Sequence, residues 1–327
     1  MKILVCGGAG YIGAHMCKML ASAGFEVTVF DNLSTGHENA VRWGNLIKGD
    51  LLTQGDIDRA LKEERYSAVM HFSAKSLVGE SMQHPELYYR NNVIGTLNLL
   101  EAMVKQCVKY FIFSSSAAVY GLPGYSPIDE EHPTVPINPY GRTKLMIETM
   151  LPDFDTGHGI KSVSLRYFNA AGADPDAVIG ELHEPETHLI PNILLSVHDG
   201  SIFPLKVFGD DYETPDGTCL RDYIHVVDLC DAHVRALNYL IGGGKSDIFN
   251  LGNGNGFSVL EVINSAQKVT NSDIKYSIAP RRAGDPPTLV ASSDKAKRVL
   301  GWLPKYMGLE KIIETAWRWH RKKDSER

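Results

Sequence analysis

The sequence predicts an α/β protein, a doubly wound parallel sheet with a smaller mixed α/β lobe behind it. Three observations carry this. Short apolar runs alternate with helix-length amphipathic segments through the first half of the chain. A glycine-rich turn joins the first apolar run to the first helix, and the alternation loosens after residue 172 into a connection rich in Asp, Glu, Pro and Gly.

Size and composition agree: 327 residues, 43% hydrophobic and 22% charged, allow one large domain and a lobe. We expect residues 1–172 to form the first and 173–327 the second, with 226–251 rejoining the first sheet. The net charge of -6, with no basic cluster beyond Arg318, Arg321, Lys322 and Lys323, argues against nucleic acid as a partner. Five cysteines lack Cys-x-x-Cys spacing, and Cys6 and Cys107 lie in apolar segments. This pattern predicts free buried thiols, with no disulfide, zinc or other metal site. The apolar start from Ile3 to Cys6 is too short for a signal-peptide core, and no apolar run approaches the roughly 18 residues of a membrane span. A cytoplasmic protein without a membrane partner is expected.

Ile3 to Cys6 reads as a buried parallel strand, because it is apolar on both faces. Gly7-Gly8-Ala9-Gly10-Tyr11-Ile12-Gly13 follows, then a helix over 15–23 and a strand from Glu26 to Phe30 that ends on Asp31. Strand, glycine turn, helix, strand and acid stand in the order of a Rossmann-type dinucleotide site. Backbone N–H groups of the turn can approach a pyrophosphate, and Asp31 can accept both hydroxyls of the adenine ribose. A phosphate on that ribose would meet the carboxylate, which selects NAD over NADP.

The alternation continues with strands at 45–48 and 68–72 and a helix at 56–64 between them. Ligands sit at the carboxyl ends of such strands, which nominates Asp50, Leu51, Phe72, Ser73 and Ala74 as cofactor neighbours. A long helix over 87–108 is expected, interrupted only by Gly95, and then a strand at 110–113 that delivers Ser114, Ser115 and Ser116 to the same edge. After a Gly- and Pro-rich loop, Asn138-Pro139-Tyr140 reads as an N-cap, a proline at the first helical position and a tyrosine in the first turn. Lys144 lies four residues on, on the same face. With 14 tyrosines in the chain, such a pair is expected about once by chance, so its weight comes from its place after the serine strand. A strand at 161–165 ends at Arg166-Tyr167-Phe168-Asn169. In the lobe, helices are expected at 189–198, 226–240, 257–269, 294–300 and 309–319, extended chain from Pro204 to Phe208, and a strand at 246–251; 252–256 reads as a turn.

A phenol beside an amine near a nicotinamide cofactor suggests hydride chemistry at an alcohol carbon. Lowering a tyrosine pKa from about 10 to 7 takes roughly 4 kcal/mol, and one ammonium about 5 Å away supplies about 3 kcal/mol at an effective dielectric of 20. Lys144 is therefore expected to make Tyr140 a base, with Ser116 bonded to the same hydroxyl and relaying its proton.

These residues resemble the extended short-chain dehydrogenase/reductase family, and within it the UDP-hexose 4-epimerase branch, nearly end to end. The resemblance rests on the Gly7–Gly13 turn, Phe30-Asp31-Asn32-Leu33-Ser34, His71-Phe72 with Val78-Gly79-Glu80-Ser81, Asn91-Asn92-Val93 and the Phe113–Gly121 run. It continues through Pro139-Tyr140-Gly141 with Lys144, Arg166 to Asn169, Arg221-Asp222-Tyr223-Ile224-His225 and Arg282-x-Gly284-Asp285. It implies interconversion of UDP-galactose and UDP-glucose through a transient 4-keto sugar with tightly held NAD. Ser116, Tyr140 and Lys144 are then catalytic. Gly7, Gly10, Tyr11, Ile12, Gly13, Asp31, Asn32, Leu33, Ser34, Asp50, Leu51, Phe72, Ser73, Ala74, Asn91, Ser114, Tyr140, Lys144 and Phe168 hold NAD. Ser116, Tyr140, Asn169, His188, Leu189, Phe208, Arg221, Arg282, Asp285 and Leu289 hold the UDP-sugar. A homodimer through the helices near 87–108 and 140–151 is implied as well.

Three positions depart from the pattern. Ser76 stands where many relatives carry a lysine, which falls here at Lys75. Ala118 replaces a threonine, and Leu289 replaces a tyrosine that confines some relatives to unmodified hexoses, so activity on the UDP-N-acetylhexosamine pair is expected too. A UDP-glucuronate 4-epimerase is the alternative. A dehydratase is disfavoured because Ala117 and Ala118 stand where such relatives place carboxylates, and a non-catalytic sensor because Ser116, Tyr140 and Lys144 are all retained.

Overall fold

The structure is a computed structural model that describes residues 1–198, 205–282 and 285–325. The expectations at Pro204 and Gly284 lie outside the described residues. The first unit runs β1 (Lys2–Cys6), α1 (Tyr11–Ser22), β2 (Glu26–Asp31), β3 (Asn45–Lys48), α2 (Gln54–Glu63) and β4 (Ala68–His71). It continues with α3 (Val78–Gln83), α4 (Pro85–Tyr88), α5 (Gly95–Lys105), β5 (Tyr110–Ser114), α6 (Pro139–His158), β6 (Lys161–Tyr167) and β7 (Asn169–Ala171). Then come α7 (Leu189–His198), β8 (Leu205–Phe208), β9 (Leu220–His225), α8 (Val226–Ile241), β10 (Asp247–Leu251) and β11 (Gly256–Ser258). The described chain closes with α9 (Val259–Thr270), β12 (Tyr276–Ala279), β13 (Thr288–Leu289), α10 (Asp294–Leu300) and α11 (Leu309–Ser325).

Seven parallel strands form one sheet in the order β10-β6-β5-β4-β1-β2-β3. Side chains alternate across its two faces as the pleat requires. Ile3, Val5, Met70 and Ile112 face a core closed by Met16 and Leu20 of α1 and by Leu229 and Leu237 of α8. Leu4, Val69, Phe111 and Phe113 face a second core closed by Ile57 and Leu61 of α2, Leu99 and Met103 of α5, and Ile147 and Leu151 of α6. Burying each of these side chains stabilises the fold by about 1.5–3 kcal/mol, which is why the strands read as continuous apolar runs.

Strand order reverses between β1 and β4, whose last residues pair as Cys6 with His71. That reversal is where open α/β sheets take ligands, and the glycine turn leaves β1 there. The lobe adds a small sheet in which β9 pairs with β7, β11 and β13, and a two-stranded pair of β8 and β12. Neither was visible as periodicity, because these strands are two to six residues long and alternate weakly.

Several local expectations are corrected. The helix expected at 15–23 begins at Tyr11, directly on the glycine turn. The segment 87–108 is not one α-helix broken at Gly95: α4 passes through a π-helical stretch, Tyr89–Ile94, into α5, which ends at Lys105. Gly95 lies in α5 against Leu51 and breaks nothing. The helix expected from 257 starts at Val259, because Ser258 accepts from Glu261 N while the Glu261 side chain accepts from Ser258 N, a reciprocal cap. All five thiols are free, but Cys107 is exposed and held at φ 56 just after α5, whereas Cys6 is buried.

Candidate active site

The glycine turn packs against the chain after β4. Gly7 has φ +81, and a Cβ there would come within 2.6 Å of Ser73 N; one on Gly13 would lie 2.1 Å from Gly7 O. Only glycine permits this crossing of the turn, the first helical turn and Phe72-Ser73. In front of it the space is open, since a Cβ on Gly10 would meet nothing nearer than Gly7 O at 3.5 Å. Gly10 is also the N-cap of α1 and offers its first turn no side-chain acceptor. Free N–H groups at a helix N-terminus beside an open cradle fit a pyrophosphate.

Asp31 closes the adenosine side. Its Oδ2 accepts from Ala9 N at 3.0 Å and its Oδ1 from Leu33 N at 2.8 Å, which fixes the carboxylate and holds Leu33 at φ 58. Each oxygen keeps a second lone pair for a ribose hydroxyl. Asn32 donates to Asp50 Oδ2 at 3.0 Å and Ser34 N donates to Asn32 Oδ1, so the ends of β2 and β3 are tied together. Leu51 is buried in the core, and Ile12 packs on the opposite face of the sheet. The Tyr11 hydroxyl donates to Gly172 O at 2.6 Å, which leaves only its backbone facing the turn as a free donor. These residues fit NAD as a group.

Ser116, Tyr140 and Lys144 come together at the carboxyl end of β5. Asn138 caps α6 by accepting from Gly141 N at 2.8 Å, and Pro139 takes the first helical position. A Cβ on Gly141 would lie 2.3 Å from Ala118 O, so this glycine lets the first turn of α6 touch the turn after the serines. The Ser116 side chain accepts from Ala118 N at 3.1 Å and lies near enough to the Tyr140 hydroxyl to act on its pKa. Lys144 is buried, donates from Nζ to Ser114 O at 2.7 Å, and lies 4.8 Å from the Phe113 ring centroid and 5.8 Å from that of Tyr140. Ser114 Oγ lies 2.5 Å from Tyr167 OH.

In the chain by itself the surroundings of Tyr140 and Lys144 oppose the charged forms that such a base requires. Burial raises the tyrosine pKa, and the hydrogen bond from Ser116 only partly opposes it. Burial also pushes Lys144 down to about 7, against the pull of Glu148. The Coulomb estimate took a charged lysine in a screened medium; here desolvation acts on both groups in the unhelpful direction. Attraction in a phenolate–ammonium pair at about this separation is worth about 3 kcal/mol at an effective dielectric of 20, which opposes the desolvation of the two charges.

Behind the pair lies a network that no motif singled out. Glu148 accepts from Arg166 Nη2 at 2.6 Å and from Ser115 Oγ at 2.6 Å; Arg166 Nη1 donates to Tyr120 OH at 2.9 Å, and Tyr120 OH donates to Asn250 Oδ1 at 2.6 Å. Glu148 stands four residues after Lys144, so helical spacing alone could have found it. Asn92 accepts from Lys75 N and donates to Lys75 O and Thr143 Oγ1, tying the chain after β4 to α6. Asn91 donates to Asn92. Lys75 Nζ stands 4.0 Å from Glu80.

The residues expected to hold a sugar nucleotide form linked groups. Arg221 on β9 donates from Nη1 to Leu220 O and Pro286 O, both at 2.9 Å, and lies 3.5 Å from Asp285; Leu289 pairs with it in register. The Arg282 guanidinium stacks 3.9 Å from the Phe208 ring centroid. Leu289 and Phe168 pack against the cluster formed by Ala117, Val119, Tyr120 and Ile128. Asn169 opens β7, paired with Tyr223, and His188 with Leu189 opens α7. Asp222, a neighbour of Arg221, is spent structurally, accepting from Asn253 N, Gly254 N and Ala291 N.

A glycine cradle at the strand-order reversal and a Ser–Tyr–Lys group at the next strand end define a dinucleotide-dependent α/β enzyme site. The chain belongs to the NAD dependent epimerase/dehydratase family, whose model matches residues 3–252. A UDP-glucose 4-epimerase of Rhizobium meliloti (strain 1021) is 52% identical over 99% of this chain and 98% of its own length. UDP-glucose 4-epimerase from Brucella ovis, solved in complex with NAD, superposes with a TM-score of 0.94 at 48% identity, covering 97% of each chain. The Bifidobacterium longum enzyme, solved with NAD+ and UDP, gives 0.93 at 38% identity and 99% coverage of each. Among the described residues no helix is long and apolar enough to cross a membrane.

The buried amine gives a pH signature. Lys144 has a folded pKa near 7, below its ordinary 10.5, so between these values the folded chain binds fewer protons than the unfolded one. Its contribution to stability therefore rises with pH from about 7 upward. In urea titrations at matched cofactor content, the stability of the parent chain relative to Lys144→Met should climb between pH 7 and 10 by up to about 1.4 kcal/mol per unit; a flat difference contradicts the buried amine.

Proposed function

We propose that this chain is a UDP-glucose 4-epimerase that interconverts UDP-galactose and UDP-glucose through a 4-keto sugar, with Ser116, Tyr140 and Lys144 as its catalytic group. The convergence of Ser116, Tyr140 and the buried Lys144 amine at the carboxyl end of β5 carries the reading. Family membership, the full-length identity to UDP-glucose 4-epimerases and the fit of the glycine cradle to NAD support it. Held by the glycine cradle and Asp31, NAD would supply the acceptor and donor for the hydride of sugar C4.

Tyr140 takes the proton of the 4-hydroxyl and gives it back after the keto sugar has turned over. Ser116 donates to the phenolic oxygen and carries the proton between sugar and phenol. Lys144, as the ammonium, balances the charge of the phenolate that takes this proton. On this reading residues 1–172 together with 226–251 form the cofactor unit, and the remainder of 173–327 forms the UDP-sugar lobe. Arg221 and Arg282 meet the diphosphate through charge-assisted bonds, while Asn169, His188, Leu189, Phe208 and Asp285 surround the nucleotide sugar.

Purified protein without added cofactor should convert UDP-galactose to UDP-glucose. Tyr140→Phe should lower turnover by about 10²–10⁴-fold while bound NAD is unchanged. An active Tyr140→Phe variant sinks the assignment.

Leu289 supports a second substrate pair. It packs against the cluster that holds Ala117 and Val119, which follow Ser116 in the chain, and it is smaller than the tyrosine found there in some relatives. We expect turnover of UDP-N-acetylglucosamine as well, and Leu289→Tyr should cut that activity at least ~10-fold relative to the plain sugar. An unchanged ratio means that Leu289 only packs the lobe.

The partner surface we assign to α4, α5 and α6 for a homodimer exposes Leu87, Ile94 and Met146. Light scattering should give a dimer and, for Ile94→Glu, a monomer; a monomeric parent chain rejects the surface.

A further inference from the structure

The connection between β7 and α7 carries a cluster of four ligand-type side chains, of which the epimerase reading uses only His188. Glu181, His183, Glu186 and His188 offer two carboxylate oxygens and two imidazole nitrogens, all within 4.8 Å of one another. His183 Nδ1 lies 3.4 Å from Glu181 Oε1 and 3.5 Å from Glu186 Oε2. His188 Nδ1 lies 3.0 Å from Glu181 Oε1 and 2.9 Å from Glu186 Oε1. A tetrahedral ion with bonds of about 2.0–2.1 Å needs ligand atoms roughly 3.3 Å apart; the nitrogen–oxygen separations lie about that value, taken to either Glu186 oxygen, and a set of one atom per residue fits within 4.8 Å.

Two further observations point to a cation. His183 Nδ1 is buried and makes no hydrogen bond, although it faces both carboxylates. The Glu181 and Glu186 side chains are only 6% and 8% exposed, and neither makes an ion pair with Lys or Arg among the described residues. Paired carboxylates out of water require positive charge at contact, which the two imidazoles supply in the metal-free chain and a bound cation supplies in their place. The surrounding backbone already aims one ligand, since Thr187 N and His188 N donate to Glu186 Oε1 at 2.8 and 2.9 Å. Such outer support is typical of a built metal site.

We propose that Glu181, His183, Glu186 and His188 bind one divalent transition metal of the Zn²⁺ class. Two nitrogens and two oxygens suit Zn²⁺ and disfavour Mg²⁺ and Ca²⁺, which take oxygen ligands. Four protein ligands leave no open position, so the ion is structural. It clips the 181–188 loop onto the start of α7, and through the edge contact of His183 with the Tyr11 ring, centroids 6.5 Å apart, it braces the loop near the glycine turn. The sequence expectation of no metal weighed only cysteine spacing, and these ligands are histidine and glutamate. This inference does not depend on the epimerase reading.

The test uses the tag-free full chain with its bound cofactor, stripped by chelator, dialysed against buffered micromolar Zn²⁺ and passed through a desalting column. Atomic emission should find about one Zn²⁺ per chain, unmoved by a hundredfold excess of Mg²⁺, and the melting temperature should rise with Zn²⁺ and fall again with chelator. His183→Ala should retain at least ~10-fold less metal with unchanged circular dichroism and NAD content; if that variant is insoluble, Glu181→Gln serves with the same expectation. A parent chain retaining under about a tenth of an equivalent, release by Mg²⁺, or equal retention by the variant overturns the site, and the first outcome identifies the quartet as a plain ion-pair cluster.

Discussion

The hydrogen bond from Lys144 Nζ to the Ser114 carbonyl is the constraint around which the site is arranged. It ties the second turn of α6 to the last residue of β5. Tyr140, one turn earlier on the same face, is thereby set beside Ser116, which lies just beyond that strand end. The bond holds an amine where burial opposes its charge. An amine that can be neutral or charged near neutral pH suits a partner that must alternate between phenol and phenolate.

Holding so costly a group requires support on every side. The Phe113 ring lies under the amine, Gly141 lets α6 approach Ala118, and the buried Glu148–Arg166 pair locks the far side of the serine strand through Ser115. A buried ion pair of this kind contributes little net stability, because desolvation offsets its attraction. Its effect is geometric, since Glu148 and Arg166 bring α6, β5 and β6 to one point. The same economy of position appears at the other end of the site, where Gly7 and Gly13 allow β1, α1 and the Phe72-Ser73 chain to cross at atomic contact.

What was legible in the sequence is what is local in the chain. The glycine turn, the acid at the end of β2 and the capped start of α6 each lie within a few consecutive residues, and each came out as expected in type. The doubly wound sheet followed from apolar runs that need both faces covered. Contacts that join distant segments were not legible: Asn92 with Lys75 and Thr143, and Tyr120 with Asn250, belong to no periodic pattern. Burial was the other blind spot. Reading Tyr140 and Lys144 as neighbours on a helix was right, yet a reckoning of charge in a screened medium leaves out burial, which raises the phenol's pKa. Cys107 failed for a related reason, because an apolar neighbourhood in sequence became an exposed turn after α5.

The central claim is that the site breaks and remakes one C–H bond at the sugar carbon that inverts, with Tyr140 handling only the hydroxyl proton. UDP-galactose deuterated at C4 tests this most directly. The UDP-glucose formed in ordinary water should retain deuterium at C4, as read by mass spectrometry and NMR. Replacement of that deuterium by solvent hydrogen would contradict the account, because it would mean that a protein base removes the C4 hydrogen as a proton.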